Sequence, residues 1–199
     1  MSEPSDLRSR KKLATYRALA HAARELTAER GLEAVTVDDI AAAADVSPRT
    51  FFNYFSSKEQ AIVGVEPAVL EDLAASLLER PREERPIEAV AAVLLERMTT
   101  DAETARRWLL RAELVERYPS LLPRHLAAMA DIERTLVTTL AQRMGVDADH
   151  DLRPMVVVSA VTALQRSTLA WWNRGGRTEP LGDALRSAFA ALATELAKP

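Results

Sequence analysis

The sequence predicts an all-α fold, and three observations support this prediction. Alanine, leucine, arginine and glutamate, all strong helix formers, dominate the 199 residues. Apolar residues recur at three- and four-residue steps, and no segment alternates apolar and polar residues long enough to indicate a strand. Glycine, proline, serine or threonine stands between the periodic segments, where helices begin and end. These boundaries predict about nine helices.

The composition also limits the classes of function. Cysteine is absent, so disulfides, thiolate metal sites and thiol catalysis are excluded. The histidines at 21, 125 and 150 lie far apart and lack metal-ligand spacing, and we find neither a glycine-rich phosphate loop nor a nucleophile elbow. We therefore predict a protein that is not an enzyme and that uses no cofactor or metal. A helical adaptor that binds other proteins remains the alternative to a DNA-binding protein.

Two segments of the sequence indicate where in the cell the protein is found. The polar, acidic N-terminus lacks the apolar core of a secretory signal. The one long apolar stretch, residues 155–172, is interrupted by Gln165 and Arg166 and is barely long enough to cross a bilayer. We expect a buried helix there, no membrane partner and a cytoplasmic protein, which suits the absence of cysteine.

Charge is distributed unevenly along the chain. The net charge is only -3, but a run near the N-terminus contains basic residues and no acid. Its members are Arg8, Arg10, Lys11, Lys12 and Arg17. Acidic residues are concentrated in the second half, at Glu113, Glu116, Asp131, Glu133, Asp147, Asp149 and Asp151. This asymmetry is typical of a DNA-binding head on an acidic body, although the basic run alone could be a solvated tail.

The first predicted helix runs from about residue 7 to Arg30, and Gly31 provides its C-cap. Its apolar face consists of Leu13, Tyr16, Ala20, Ala23 and Leu26. A capping box at residues 36–39 begins a short helix over 37–43. Ser47 caps a third helix, from Pro48 to about Tyr54, and residues 57–60 resemble another capping box that begins a fourth helix toward Leu78.

The rest of the chain predicts a helical bundle. Pro81 and Pro86 bracket a connection, and residues 100–103 cap one of the helices that follow. The predicted helices lie at 87–98, from 103 to just before Pro119, and at 121–144, 152–173 and 181–197.

The two short helices between Val37 and Tyr54 predict a helix-turn-helix. The positions expected to face the interior are Val37, Ile40, Ala41, Val46 and Phe51. The second short helix then presents Arg49, Thr50, Asn53 and Tyr54 outward. A short helix with so many hydrogen-bonding groups is a poor candidate for burial in a core. It is a good candidate for insertion into the major groove of DNA, where these groups can bind base edges.

These residues together resemble the signature of the tetracycline-repressor (TetR) family. The resemblance covers roughly residues 10–60, through Thr36-Val-Asp-Asp-Ile-Ala41, Val46-Ser47, Thr50-Phe-Phe-Asn-Tyr-Phe55 and Ser57-Lys-Glu59. It implies a transcriptional regulator with a three-helix DNA-binding domain at 1–56 and a ligand-binding and dimerisation domain at 57–199. One departure is Phe52, where the family often has a tyrosine whose hydroxyl reaches a phosphate.

The resemblance implies roles for individual residues in binding operator DNA. Arg49 is the candidate for reading guanine, with a structural ion pair to Asp45 or Glu59 as the alternative. Asn53 is expected to read adenine or to contact phosphate. The residues expected to contact the DNA backbone are Thr36, Ser47, Thr50, Tyr54 and Lys58. The residues argue for DNA binding, and repression rather than activation is an expectation from the family.

Such heads work as symmetric pairs on palindromic double-stranded DNA, so we expect a homodimer. The last two predicted helices carry apolar stripes that fit a four-helix interface between subunits, and ordinary core within one chain is the alternative. The predicted interface residues are Val161, Leu164, Thr168, Trp172, Leu185, Phe189 and Leu192.

The middle helices are expected to bind an effector that releases the repressor from its operator. The candidate ligand-binding residues are Met98, Trp108, Arg111, His125, Met129, Thr162 and Gln165. A second resemblance, to the C-terminal domains of mycofactocin-type regulators, rests on Arg106-Arg-Trp108, Glu116–Leu121 and Ile132-Glu-Arg134. It implies a small apolar or acyl-type effector such as a long-chain acyl-CoA, with Arg107, Arg111 and Arg124 as a basic rim for its phosphates.

Overall fold

The computed structural model of the protein describes residues 4–99, 102–175 and 179–195. These residues form ten α-helices and one 3-10 turn, and none of them lies in a strand, so the all-α prediction is confirmed. The helices are α1 (Pro4–Arg30), α2 (Val37–Ala43), α3 (Pro48–Phe52), α4 (Lys58–Val63), α5 (Pro67–Glu79), α6 (Pro86–Thr99), α7 (Ala102–Arg117), α8 (Leu122–Met144), α9 (Arg153–Arg174) and α10 (Leu181–Glu195). The 3-10 turn, Pro119–Leu121, joins α7 to α8.

The fourth predicted helix, from residue 57 toward Leu78, is not continuous in the structure. It is divided into α4 and α5, and counting the two as one gives the predicted nine. Gly64 ends α4 in an extended conformation, with φ -62° and ψ 156°. Pro67 has no amide hydrogen and disfavours the helical conformation at Glu66 before it, so the helix cannot run on. The predicted cap at Thr100 and the predicted helix end at Ala197 lie outside the described residues.

The helix starts near the N-terminus follow their caps. Thr36 Oγ1 accepts from the Asp39 amide at 3.1 Å, and the Asp39 carboxylate accepts from the Thr36 amide at 2.9 Å, so the predicted capping box is present. Ser47 caps α3 by accepting from the Thr50 amide at 3.1 Å. Ser57 caps α4, but the Gln60 side chain accepts from Ser56 instead of Ser57, so this cap is not reciprocal.

The chain divides into two compact units. The first unit comprises Met1–Glu66 and Arg106–Ala128, and the second comprises Pro67–Ala105 and Met129–Pro199. The first unit is larger than a three-helix head because α4 and α7 contribute to the same core. The division into a DNA-binding domain that ends at residue 56 and a ligand-binding and dimerisation domain that begins at residue 57 stays a prediction.

The core of the first unit joins five helices. Leu19 of α1, Ile40 of α2, Phe51 of α3, Ile62 of α4 and Leu114 of α7 are all buried in it. Aromatic rings pack at its centre, where Phe55 lies 4.5 Å from Tyr16 and 5.5 Å from Phe51 between ring centroids. The two short helices are therefore held by packing, α2 on α1 and α3 on α2, because their own hydrogen bonds are too few for a stable isolated helix.

The second unit is a helical bundle in which α6, α9 and α10 pack against one another and α5 packs on α6. Its largest fully buried side chains are Leu73, Leu77, Leu136, Leu140 and Leu185. No helix in the described ranges combines the length and the apolarity that a membrane span requires.

Candidate functional site

The turn between α2 and α3 has a defined geometry. The Val46 amide donates to the Ala41 carbonyl at 3.0 Å and the Asp45 amide donates to Ala42 at 3.1 Å, which is the Schellman pattern of a helix end. Asp45 takes the left-handed position of this motif, with φ +53°. The turn is therefore fixed by hydrogen bonds on the α2 side and by the Ser47 cap on the α3 side.

The inward face of the helix-turn-helix is the predicted one. Ile40, Ala41 and Phe51 are fully buried, and Val37 and Val46 are partly buried against the same core. This packing leaves the other face of α3 directed to solvent.

The outward face of α3 carries the predicted DNA-binding groups. Arg49 and Asn53 are exposed, and Tyr54 is partly buried. Arg49 forms no ion pair with any residue that the structure describes, so the alternative of a salt bridge to Asp45 or Glu59 gains no support. A free guanidinium and a carboxamide on one short helix can donate to base edges or phosphates.

Phe52 projects beside these groups and is 59% exposed. Its ring lies edge-on to Phe51, with centroids 5.5 Å apart. An exposed phenyl on this helix can contact a thymine methyl or a sugar, but it cannot donate a hydrogen bond to phosphate.

The smaller predicted contacts are already in use as caps. The Thr36 hydroxyl donates to the Asp39 carboxylate, and the Ser47 and Thr50 hydroxyls share a hydrogen bond of 3.0 Å. Thr36 and Ser47 are nevertheless exposed, and the helices that they cap keep first-turn amides without a cap partner, at Val37 and Asp38 in α2 and at Arg49 in α3.

Lys58 has an internal role that the sequence did not predict. Its ammonium donates to the carbonyls of Leu32 at 2.6 Å and Val35 at 2.8 Å, and its side chain is partly buried. It thereby ties the connection between α1 and α2 to the start of α4. A phosphate contact stays a prediction and would have to use the third ammonium hydrogen.

Two arginines meet at the C-terminal end of α4. Arg24 of α1 donates to the carbonyl of Ile62, and Arg111 of α7 donates to that of Val63, both at 3.3 Å. A cation is favourable at a helix C-terminus, where the carbonyls carry partial negative charge. The Arg111 guanidinium also lies 3.9 Å above the Trp108 ring.

The structure does not place Arg111 on an exposed rim. Only 6% of this residue is exposed, so it lies inside the first unit, whereas Arg107 is partly buried and Arg124 is exposed. Burial, and next the charge of Arg24, lower the pKa of Arg111 to about 9.

Neighbouring groups respond to the same environment. Burial, followed by the Arg111 charge, lowers the pKa of His125 to about 4, so the imidazole is neutral at pH 7. Burial, with a further effect of Glu66, raises the pKa of Tyr16 to about 12, so its phenol is also neutral. Sequence periodicity could not reveal this cluster, because its members come from helices distant along the chain.

The predicted ligand-binding residues fall in both units. Trp108, Arg111 and His125 belong to the first unit, where Arg111 is close to the other two. The second unit contains Met98, Met129, Thr162 and Gln165. There Gln165 donates to the Met98 sulfur at 2.7 Å. Thr162, one turn before Gln165 on α9, donates to Glu133 at 2.9 Å.

Several predicted dimer-interface residues are core residues of one protomer. Val161 and Leu185 are fully buried, and Thr168 and Trp172 are 7% and 8% exposed. The remaining three, Leu164, Phe189 and Leu192, are partly buried. The four buried residues pack within the bundle of α6, α9 and α10, so they offer little surface to a partner, and the interface itself stays a prediction.

The accessible face of α9 and α10 is lined mostly by small residues. Ser167 and Ala170 of α9 and Ser187 and Ala190 of α10 are exposed. Trp171 stands among them and is 57% exposed, whereas its neighbour Trp172 points inward and donates to the Glu179 carbonyl at 2.6 Å. Small residues at helical spacing allow close helix approach, so this face is a second candidate for the dimer interface.

Comparisons with known proteins agree with both resemblances. Residues 19–62 match the family model described as bacterial regulatory proteins, tetR family, and residues 84–197 match the MftR C-terminal domain. The HTH-type transcriptional regulator TcmR of Streptomyces glaucescens is 37% identical over 198 residues, which cover 96% of this chain and 88% of that protein. The putative mycofactocin biosynthesis regulator MftR of Mycobacterium tuberculosis is 28% identical over 180 residues, 90% of each chain.

A solved structure shows the same fold. FadR of Thermus thermophilus, determined in complex with lauroyl-CoA, superposes with a TM-score of 0.54 at 22% identity, covering 89% of this chain and 93% of that one. The matched relatives are transcriptional regulators and not enzymes, as predicted. The chain therefore belongs to the tetR family of bacterial regulatory proteins.

Proposed function

We propose that this protein is a repressor that binds a palindromic operator as a homodimer and leaves it when a small effector binds. The observation that carries this proposal is the outward face of α3, where Arg49 and Asn53 are exposed on a helix fixed by the turn at Asp45. Because the proposed target is bacterial DNA, the protein acts in the cytoplasm.

On the operator, Arg49 donates to the two acceptors of a guanine and Asn53 donates to an adenine or a phosphate. The contacts to phosphate come from the hydroxyls of Thr36, Ser47 and Tyr54, from the first amides of α2 and from the Arg49 amide of α3. Phosphate contacts set the position of the head, and the two α3 side chains select the sequence.

Two heads are needed because one short helix makes too few base contacts for specificity. In this proposal the protomers dimerise through the exposed face of α9 and α10, and each protomer supplies one α3 helix to one of two half-sites about one helical turn apart. Trp171 is the central anchor of this face, since an exposed tryptophan among small residues is typical of an interface.

The effector is an acyl compound in this proposal. The fold neighbours FadR of Thermus thermophilus and FadR of Bacillus subtilis support it, because their structures contain lauroyl-CoA and stearoyl-CoA. The resemblance to mycofactocin-type regulators implies the same class of effector. Effector and operator then weaken each other's binding by the same factor, typically about 5–150-fold.

Selection of bound duplexes from random DNA, followed by sequencing, tests the proposal. We expect an inverted repeat with half-sites about one turn apart, and an Arg49→Ala protein that no longer enriches it. Lauroyl-CoA should then reduce binding to the selected duplex. No enriched sequence would overturn the regulator proposal, and enrichment unaffected by lauroyl-CoA would overturn only the effector class.

A further inference from the structure

Arg111 is a buried cation without a buried anion. It is 6% exposed, and within the described residues no carboxylate lies within ion-pair distance of it. An unpaired charge inside a protein is costly, because the lost hydration has to be replaced by other interactions. The Val63 carbonyl and the Trp108 ring stabilise the guanidinium in part, but neither of them carries a full negative charge.

The hydrogen bonds of this guanidinium are incomplete. One nitrogen, Nη1, donates to the Val63 carbonyl at 3.3 Å, a long distance for such a bond. The other, Nη2, is buried and has no hydrogen-bond partner. Buried polar groups are nearly always paired, so an unpaired donor on a charged group is a functional signal.

The groups in contact with Arg111 carry no negative charge, and the carboxylate of Glu66, which lies near Tyr16, is paired with Arg17 at 3.0 Å. The Trp108 ring covers one face of the guanidinium at 3.9 Å. Arg24 adds a second positive charge nearby, and the Tyr16 phenol, with its pKa raised to about 12 by burial, stays neutral. Nδ1 of His125 is also buried without a hydrogen-bond partner.

We propose that Arg111, together with His125, receives an oxyanion, a carboxylate or phosphate group carried by the effector. This inference rests on the proposed ligand response and names the chemistry that the ligand must have. The forked donors of a guanidinium match two oxygens of one anion, and a buried setting strengthens the pairing. His125 adds a donor when its hydrogen is on Nδ1, and Trp108 provides apolar surface for the rest of the ligand.

The position of Arg111 connects this site to the DNA-binding head. Its current acceptor, Val63, is the last residue of α4, which follows the recognition helix α3 in the same unit. An incoming oxyanion competes with the Val63 carbonyl for the guanidinium. Ligand binding is thus coupled to the end of α4 through one side chain.

Three eight-carbon probes with different head groups test the site: octanoate, octyl phosphate and octan-1-ol. Thermal unfolding of the full chain is followed at constant ionic strength, with and without each probe. For the wild type we expect at least one anion to raise Tm saturably, by about 3–5 °C at ten times its Kd, and the alcohol to have little effect. A response to octanoate alone or to octyl phosphate alone identifies the head group.

The key variant is Arg111→Met, which keeps the volume and removes the charge. We expect it to fold, with the helical circular dichroism of the wild type, and to lose the anion response. Arg117→Met is the matched control, because Arg117 lies on the same helix over an aromatic ring, Tyr118 at 5.3 Å, but is exposed. This control should respond like the wild type.

The proposal is overturned if Arg111→Met responds like the wild type, or if neither anion stabilises the wild type more than octan-1-ol does. Should Arg111→Met fail to fold, Arg111→Lys and His125→Leu replace it, and an unchanged anion response in both overturns the proposal. Operator binding is measured separately on the same proteins. If anions bind through Arg111 but no operator is found, the regulator proposal fails and the anion site stands.

Discussion

Asp45 shows how a single backbone conformation shapes the candidate DNA-binding surface. At φ +53° it occupies the left-handed region, which costs an L-residue about 1–2 kcal/mol and is least costly for Gly, Asn and Asp. The hydrogen bonds of the turn hold it there. Asp45 thus occupies a left-handed position of the turn between α2 and α3 that glycine would occupy with less strain.

We therefore predict opposite effects for two substitutions at this position. Asp45→Gly should leave the free energy of unfolding unchanged or raise it by up to about 1 kcal/mol, because relief of strain is partly offset by greater freedom of the unfolded chain. Asp45→Val should lower it by about 1–3 kcal/mol, since a β-branched side chain is a poor occupant of this region. Urea denaturation measures both, and equal stability of the two variants would contradict the assigned turn.

Phe52 gives a prediction on DNA affinity. Phe52→Tyr adds a hydroxyl to a ring that is 59% exposed on the outward side of α3. One new hydrogen bond to phosphate should tighten operator binding about 2–10-fold. The dependence on salt should not change, because a neutral hydroxyl releases no counterion. Fluorescence anisotropy would show both, and unchanged affinity would mean that the ring does not face the DNA backbone.

His125 predicts a specific pH dependence of stability. Its pKa in the folded protein is about 4, below the ordinary value of 6.5, because burial and Arg111 disfavour the charged form. As the pH falls from about 6.5 to 4, the His125 imidazole becomes protonated in the unfolded chain but stays neutral in the folded protein. The free energy of unfolding therefore decreases over this range. His125→Gln cannot titrate, and should gain stability relative to the wild type between pH 7 and pH 5. The urea midpoints of the wild type and His125→Gln are compared at pH 7 and pH 5. If the difference between the two proteins were the same at both pH values, the burial of this ring would be contradicted.

At the scale of the helix, periodicity predicted which segments are helical but not always which face is inward. In α9 both faces contain apolar residues, so the sequence allowed either Trp171 or Trp172 to be the buried one. The structure places Trp172 inside, because α6 and α10 cover that side. Which face of a helix is buried depends on helices that are distant along the chain, so local sequence patterns cannot predict it.

The α9 and α10 face carries a prediction on assembly. Trp171→Glu should weaken the dimer by at least about 100-fold, since it replaces an aromatic anchor with a charge that must be desolvated. Leu126→Glu is the control, because this leucine is also 56% exposed but lies on α8. Sedimentation equilibrium distinguishes the two. A dimer of wild-type strength in Trp171→Glu would exclude this face from the interface.

At the scale of the whole molecule, the sequence predicted the fold class and the helix-turn-helix because both depend on local signals. Caps, turn residues and the buried pattern around Phe51 are all readable within about 20 residues. The cluster around Arg111 was not predictable in this way. It is formed by α1, α4 and α7, and only the folded first unit shows that an arginine at a surface-like helical position is buried.

The central claim is that α3 reads operator sequence, and a titration of the selected duplex by fluorescence anisotropy tests it most directly. The wild type and Arg49→Ala are each titrated with the selected and a scrambled duplex between 50 and 200 mM salt. We predict that Arg49→Ala weakens binding to the selected duplex by about 1–3 kcal/mol, or about 5–150-fold, and binding to the scrambled duplex much less. Equal losses on both duplexes, or no preference by the wild type, would contradict the claim.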